Sequence, residues 1–261
     1  MKYLYLTFLL SLLSSSAFAV DTVRETDFSF DRIKESNPGM WQNFYDEKRP
    51  FGKVYCYQND FSNFVADAVT VTESGTAVQQ TQTFKDERNG IFVLSSGTSE
   101  NDGSQFQLGG TGDSETLGES FAPAASKNLW FETRVKSSDA NQNDFFVGLH
   151  VQDTSVVASR GSDYIGFSVD DGDANLDVNT SKSSAASQEL GIATVADDTY
   201  VKLGFKVTGV SKVEFYVDDV LKSTLTSNIP TGLMKLTAGH LTGEAATETL
   251  SVDYLVACQD R

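Results

Sequence analysis

Three residues near the middle of the chain carry side chains suited to acid–base chemistry: Arg134, His150 and Tyr164. Each lies in a run of alternating residues, at the parity that predicts a solvent-facing position. An arginine there could neutralise the carboxylate of a uronate sugar, while the histidine or tyrosine takes up a proton. The trio is therefore a candidate catalytic site, and the alternative is the ordinary polar face of a sheet.

Carboxylates offer a second route to catalysis, but their spacing does not suit it. Retaining glycoside hydrolysis needs two carboxyl groups about 5 Å apart across the scissile bond. Glu132 is the only carboxylate in its run, LWFETRVK, whereas Asp170, Asp171 and Asp173 stand together in a turn sequence. The sequence therefore predicts no glycosidase pair.

Oxygen-bearing side chains alternate through the acidic DDGD turn and the run that follows it. An EF-hand loop would require glycine at its sixth position and glutamate at its twelfth. Leu176 and Lys182 occupy those positions, so the EF-hand is excluded and DDGD is predicted to form a hairpin turn. Ca²⁺ is the one candidate cofactor, because it prefers oxygen ligands, and its candidate ligands are Asp171, Asp173, Asn175 and Asp177.

Aromatic residues at outward parity are the third feature with chemical meaning, because an exposed ring can stack on a sugar. With two polar neighbours they make up the predicted ligand-binding set: Trp130, Arg134, Phe146, His150 and Tyr164. Tyr200 has the same outward parity. The alternative is that a second sheet or the N-terminal extension covers the rings, since large aromatic side chains are mostly buried.

The elements that would position these residues are short alternating runs between residues 129 and 178. They read LWFETRVK, FFVGLHV and DYIGFSV, followed by the DDGD turn and NLDV. One parity of each run is apolar and the other is mixed, as in antiparallel strands that have one face in water. About ten or more such strands, separated by turn signals, predict an all-β antiparallel β-sandwich or jelly roll.

The N-terminus has the pattern of a secretory signal peptide at residues 1–19. A lysine precedes an apolar run, and the sequence AFA, ending at Ala19, is a small-x-small cleavage site. The apolar run is too short to cross a bilayer, which needs about 20 residues. We therefore expect a secreted or periplasmic protein without a membrane span, a polar extension at 20–50 and one domain at 51–261.

The negative net charge of the chain disfavours nucleic acids and anionic membranes as partners. It has 36 acidic and 20 basic residues, a net charge of −16, so the phosphate backbone of a nucleic acid would be repelled. An anionic membrane surface is disfavoured for the same reason. The two cysteines, Cys56 and Cys258, are an even number, which permits a disulfide in a secreted chain.

Several of these runs together resemble a known superfamily. The pair LWFETRVK and FFVGLHV, followed by VEFYVDDVLKST and TLSVDYLVAC, resembles the concanavalin A-like lectin/glucanase superfamily, including laminin-G-like jelly rolls, over residues 56–259. More narrowly, ASRGSDYIGFSVDDGDANLD and ADDTYVKLGFKV are similar to jelly-roll domains in structural proteins of tailed phages.

The resemblance implies a sandwich whose first and last strands are antiparallel neighbours, and hence a disulfide between Cys56 and Cys258. Catalytic members carry an E-x-D-x-x-E strand, or arginine, glutamine, histidine and tyrosine on a concave sheet with Q-x-H and Y-F-K-x-G signatures. None of these signatures occurs in this chain.

We therefore expect a secreted, non-catalytic module that binds a polysaccharide or another surface partner. Two alternatives stay open: a decoration or fibre protein of a phage virion, and a polysaccharide lyase or glycoside hydrolase of the jelly-roll fold.

Overall fold

The computed structural model describes residue 40 and residues 54–61, 69–75, 83–85, 90–109 and 121–261. The predicted signal peptide lies outside these residues, as does the predicted extension apart from Met40. Within the described ranges, no helix is long and apolar enough to cross a membrane.

Fifteen β-strands make up most of the described part of the chain, and all of their pairings are antiparallel. In chain order they are β1 Val54–Asn59, β2 Val69–Ser74, β3 Thr83–Lys85, β4 Ile91–Ser95, β5 Gly103–Leu108, β6 Asn128–Ser137, β7 Asn143–His150, β8 Tyr164–Val169, β9 Asn175–Lys182, β10 Ala185–Thr194, β11 Val201–Thr208, β12 Lys212–Val217, β13 Val220–Leu225, β14 Lys235–Thr242 and β15 Thr249–Asp260.

The strands form two sheets packed face to face. Sheet A has the order β13-β12-β11-β6-β15-β4-β3, with β1 also paired to β15. Sheet B has the order β10-β9-β8-β7-β14-β5-β2. The predicted antiparallel β-sandwich is confirmed. Consecutive strands do not always share a sheet, and the chain crosses from sheet A to sheet B between β6 and β7.

The core lies between the sheets, because alternation sends every second side chain of each strand inward. Aromatic rings fill its centre: Phe131 stacks on Phe205 with 4.8 Å between ring centroids, and Phe167 meets Phe215 edge-on at 5.3 Å. Each such pair contributes about 0.5–1.5 kcal/mol beyond the burial of its area. The predicted inward parity of β6 is confirmed at Leu129, Phe131 and Val135.

Short turns with positive φ angles join neighbouring antiparallel strands, and the turn between β12 and β13 has two residues. Between β12 and β13, Asp218 and Asp219 have φ angles of 47° and 70°. A type I′ turn requires positive φ at both central residues, and its twist matches that of the strands. The predicted turn at these two aspartates is confirmed, and so is the DDGD turn between β8 and β9, where Gly172 has a φ of 95°.

A disulfide joins the first and last strands of sheet A. Cys56 of β1 lies opposite Cys258 of β15 in antiparallel register, with 4.1 Å between their Cα atoms. The predicted pairing is confirmed. The bond links residues separated by 202 positions, and closing so long a loop in the unfolded chain stabilises the fold by at most about 5 kcal/mol in the chain-entropy model.

Reduction of this disulfide should therefore destabilise the protein without changing its fold. We expect a reductant to lower the free energy of unfolding by about 2–5 kcal/mol in urea denaturation of the full chain. The double variant Cys56→Ser/Cys258→Ser is the matched control, because the reductant should leave its stability unchanged. An equal reductant effect on both proteins would contradict a role for the disulfide.

Candidate functional site: the covered outer face of sheet B

The predicted catalytic trio is divided between the two sheets. Arg134 lies on β6 in sheet A, whereas His150 ends β7 and Tyr164 begins β8 in sheet B. The aromatic core separates the two groups. The expectation that the three side chains share one face is wrong, because outward parity on successive strands says nothing about which sheet each strand joins.

Sheet B brings three of the predicted ligand-binding residues together. Phe146 and His150 of β7 and Tyr164 of β8 alternate with core residues and therefore lie on the outer face of sheet B, the face that points away from the core. The His150 and Tyr164 rings stack with 5.5 Å between centroids, and Phe146 meets both edge-on. These three rings therefore share one face of sheet B.

The predicted exposure of these residues is wrong. Phe146 and His150 are 0% exposed and Tyr164 is 8% exposed. The cover is the segment between β7 and β8, residues 151–163, called here the covering loop. It folds back over the outer face of sheet B instead of extending into solvent.

Two glutamines on β5 bind the main chain of the covering loop. Gln105 donates from Nε2 to the Asp153 carbonyl at 2.7 Å and accepts from the Val156 N–H at 2.8 Å. Gln107 donates to the Val151 carbonyl at 2.9 Å and accepts from the Asp153 N–H at 2.8 Å. Each amide thus uses both its donor and its acceptor on the loop, which satisfies polar groups that would be costly to bury alone.

His150 is hydrogen-bonded to the main chain at both ends of the covering loop. Its Nδ1 lies 2.7 Å from the Val151 carbonyl, and the Gly161 N–H donates to its Nε2 at 3.1 Å. A carbonyl can only accept and a backbone N–H can only donate, so the ring must be neutral with its proton on Nδ1. Burial lowers the pKa of His150, which favours the same neutral form.

The apolar contacts of the covering loop come from three valines: Val151 packs against the core, and Val156 and Val157 lie over Gly239 of β14. Val156 is its fully buried side chain. It reaches the sheet because β14 has a glycine beneath it: a Cβ on Gly239 would lie 2.9 Å from Val156 Cγ2. Gln152, Thr154, Ala158 and Ser159 are exposed. Hydrogen bonds from the sheet, more than apolar burial, therefore fix the loop.

An acidic group lies at the other end of β7. Burial, helped by the charges of Asp170 and Asp171 and opposed by a hydrogen bond from the Asp171 N–H, raises the pKa of Asp144 to about 6. Arg160 of the covering loop donates to Asp170 Oδ1 at 3.1 Å. A carboxyl group with this pKa could donate a proton near neutral pH.

The predicted calcium ligands do not converge. The Asp173 carboxylate accepts from the Asn175 N–H at 2.8 Å, and Asp177 accepts from the Gly191 N–H at 2.7 Å. The Asp171 carboxylate instead lies where a Cβ on Gly243 would be. Among the described residues, carboxylate oxygens within 4.8 Å of one another belong to a different set: Asp139, Glu244 and Glu248.

The outer face of sheet A is also covered where the sequence predicts a ligand-binding ring. Trp130 is 0% exposed, and its Nε1 donates to the Met40 carbonyl at 3.1 Å. Met40 packs on Gly204, where a Cβ would lie 3.0 Å from its Sδ. For Trp130 the alternative of a cover from the N-terminal side is therefore confirmed at Met40.

Arg134 is the accessible member of the predicted set. Its side chain is 44% exposed, pairs with Asp253 at 2.8 Å and lies over the Tyr200 ring with 4.3 Å to the centroid. Glu132, its neighbour on the same strand, is buried and accepts from the Tyr254 hydroxyl at 2.8 Å. These protein contacts account for the polar side chains on the outward face of β6, and no bound substrate is needed to explain them.

Sequence reasoning missed the glutamines that hold the covering loop. The signal was present in β5, GSQFQL, where Gln105 and Gln107 alternate with the apolar Phe106 and Leu108. That alternation places the two amides on the outer face. Their partners are main-chain groups of a distant loop, which leave no mark in the sequence.

Proteins of known structure share this architecture. The SO2946 protein of Shewanella oneidensis MR-1, whose function is unknown, has a TM-score of 0.53 and 12% identity, with 84% of this chain and 93% of that chain covered. The β-glucanase of Bacillus licheniformis has a TM-score of 0.53 and 13% identity, covering 80% and 99%. The CBM2 module of the evolved Dit protein of Lactobacillus casei BL23 phage J-1 has a TM-score of 0.51 and 14% identity, covering 79% and 96%.

Likeness at such low identity shows the fold alone. It confirms the resemblance to concanavalin A-like jelly rolls and to a phage jelly-roll module. No curated protein sequence matches the chain. Residues 87–254, more than half of the chain, match a family of domains, and the chain therefore belongs to the SO2946-like, C-terminal domain family.

Proposed function

We propose that this protein is a secreted, non-catalytic β-sandwich module that binds a polysaccharide or another surface partner through the outer face of sheet B. The observation that carries the proposal is the composition of that face. Stacked rings of Phe146, His150 and Tyr164 share that face with the amides of Gln105 and Gln107, which lie on β5 beyond the intervening strand β14. Rings with a few fixed polar groups are the usual lining of ligand sites.

The position of the other candidate groups supports binding over catalysis. Arg134, which a lyase would need near the proton acceptor, lies across the core from His150 and Tyr164. Glu132 is buried on sheet A with Tyr254 and cannot pair with a carboxyl group on sheet B. With the covering loop open, a polymer on the outer face of sheet B would meet rings and amides, with Asp144 and its neighbours at one end.

A glycoside hydrolase is the second candidate, and Asp144 is the observation that favours it. A carboxyl group with a pKa of about 6 that lies beside a second carboxylate, Asp170, is suited to the general-acid role in a glycosidase. The same fold serves binding modules and hydrolases, as the phage CBM2 module and the β-glucanase illustrate, so the fold does not choose between them.

One experiment separates the two functions. We expect the purified protein to be retained on a glycan array and to release no reducing ends from the glycan it binds. Tyr164→Ala should weaken retention by about 1–3 kcal/mol, or roughly 5- to 150-fold in Kd, because it removes an aromatic contact. Tyr200→Ala, beside sheet A, is the matched control and should leave retention unchanged.

Opposite results would point to the hydrolase. Product formation that disappears in Asp144→Asn, while the melting temperature stays the same, would replace binding with catalysis as the function. Tyr164→Phe keeps the ring stacked on His150 and should bind like the wild type, which separates loss of the contact from loss of folding.

A virion decoration or fibre role remains the third proposal. The phage Dit module among the similar structures is the observation behind it. Neighbouring genes that encode capsid and tail proteins would support this role, whereas genes for polysaccharide uptake beside this one would favour a free module.

The proposed function also requires that the protein is exported, and a separate experiment tests export. A disulfide persists in oxidising compartments, and the Cys56–Cys258 bond is compatible with a secreted or periplasmic location. We expect the mass of the exported protein to match a chain that begins at Val20. A mature protein that retains residues 1–19 would contradict cleavage at the predicted site.

We propose that Ca²⁺ binding is at most weak and that the binding function does not depend on it. The carboxylates of Asp173 and Asp177 accept from separate backbone N–H groups, and the Asp171 carboxylate lies against Gly243. Millimolar Ca²⁺ should therefore raise the melting temperature by no more than about 2 °C. A rise of many degrees that is lost in Asp173→Asn would show a site at the predicted turn.

A further inference from the structure

The hydrogen bonds between the covering loop and His150 depend on the protonation state of the imidazole ring. We infer that the loop is a pH-dependent gate over the outer face of sheet B, closed by neutral His150 and released when that ring takes up a second proton. The gate itself follows from the loop contacts alone. Its consequence, that acid uncovers a ligand-binding face, rests on the proposed function.

Hydrogen-bond chemistry gives the direction of the switch. Neutral His150 donates from Nδ1 to the Val151 carbonyl and accepts the Gly161 N–H at Nε2. The imidazolium form has two donors and no acceptor. Its Nε2–H would then face the Gly161 N–H, so that bond is lost while the bond to Val151 stays. Release therefore begins at the Gly161 end of the loop.

The geometry around Gly161 leaves little room for rearrangement. A Cβ on Gly161 would lie 2.6 Å from Asp153 Oδ2 and 3.1 Å from His150 Cε1. The loop main chain is thus packed directly against the imidazole ring. A change in the hydrogen bond at Nε2 cannot be absorbed by a small shift of a flexible side chain, because the group that bonds there is backbone.

The other contacts of the loop set how far it can move. Val151 and Asp163 pair through a backbone hydrogen bond of 3.0 Å at its base, and Ser181 binds the Ser162 carbonyl at 2.9 Å. Between these anchors the loop has the two β5 glutamines and the buried Val156. Val157 beside it and the Arg160–Asp170 ion pair add to these contacts. Surface loops open more readily than core strands, so we expect loss of the Gly161 bond to raise the population of the open loop.

Charged groups from each neighbouring element face His150. Asp153 and Asp163 of the loop favour the imidazolium ion, and Arg160 of the loop opposes it. Lys235 of β14 is the cross-strand neighbour of His150, with its ammonium group held by Gln152 at 3.1 Å. Tyr164 of β8 and Phe146 of β7 contact the ring itself.

The sign of the pH dependence follows from burial. Desolvation is the largest cause that lowers the pKa of His150 from its ordinary 6.5. An open loop exposes the ring and restores that ordinary value, so the open state binds the proton more tightly. Opening is therefore independent of pH above about 6.5 and rises as pH falls, by at most roughly tenfold per pH unit for one proton.

Amide hydrogen exchange on the full chain measures this opening without any ligand. After correction for the intrinsic exchange rate, we expect exchange of the 151–163 amides to rise roughly tenfold or more between about pH 7 and pH 5. Amides of the core strands β8 and β11 should not change. Equal protection of the loop at both pH values would overturn the gate.

Two variants identify the group that titrates. In His150→Gln the side-chain oxygen can accept the same Gly161 N–H and cannot gain a proton, so loop exchange should vary less than about threefold over this range. Asp144→Asn is the matched control, because the raised pKa of Asp144, about 6, lies within this pH range and Arg160 of the loop is nearby. It should keep the wild-type response. The reverse pattern would assign the switch to Asp144 and end the proposal for His150.

A measurement on the wild type covers the case in which His150→Gln does not fold. The imidazole Cε1–H and the Gly161 amide should show one common titration midpoint by NMR, and separate midpoints would contradict their coupling. Glycan retention then tests the proposed function separately. If the loop opens in acid and glycan retention does not rise, the pH-dependent opening of the loop is supported. The proposal that this face binds a glycan is then contradicted.

Discussion

The structure depends on one constraint: a sheet that packs an aromatic core on one side must satisfy the polar groups on its other side. In sheet B those groups include the amides of Gln105 and Gln107 and the ring nitrogens of His150. Buried without partners, each would cost about 1–3 kcal/mol. The covering loop supplies main-chain donors and acceptors to all three side chains. Its path is therefore set by hydrogen bonding more than by hydrophobic burial.

Covering segments occur on both sides of the sandwich. On sheet A, Met40 packs on Gly204 and accepts a hydrogen bond from Trp130, close to the Cys56–Cys258 disulfide. On sheet B the covering loop seals the rings of the outer face. The two covers differ in kind. On sheet A the described part of the cover is Met40, an apolar side chain over an indole. The covering loop of sheet B is instead hydrogen-bonded to the titratable His150, so it can respond to pH.

The acidic character of the chain has a local counterpart at the far end of sheet B. Asp144, Asp170 and Asp171 crowd together there, with Arg160 of the covering loop as the nearby cation. Burial and mutual repulsion keep the pKa of Asp144 high. The outer face of sheet B thus has an aromatic end at His150 and an acidic end at Asp144. A neutral polymer would suit the first and a proton-transfer step the second.

The sequence by itself determined the strands and the way they face. Alternation in runs such as LWFETRVK decided which side chains enter the core, because successive residues of a strand point to opposite sides. Turn chemistry at Asp218-Asp219 and the DDGD segment, and the resemblance that pairs Cys56 with Cys258, were also readable from the chain.

Only the tertiary structure decided which sheet the outward-facing side chains belong to and whether they are exposed. Alternation gives two faces to each strand, but it does not say which sheet the strand joins or what lies over its outer face. For that reason Arg134 was separated from His150, and Trp130 was buried beneath Met40. The partners of Gln105 and His150 are backbone groups of the covering loop, and every residue has such groups, so no pattern of residue types could reveal them.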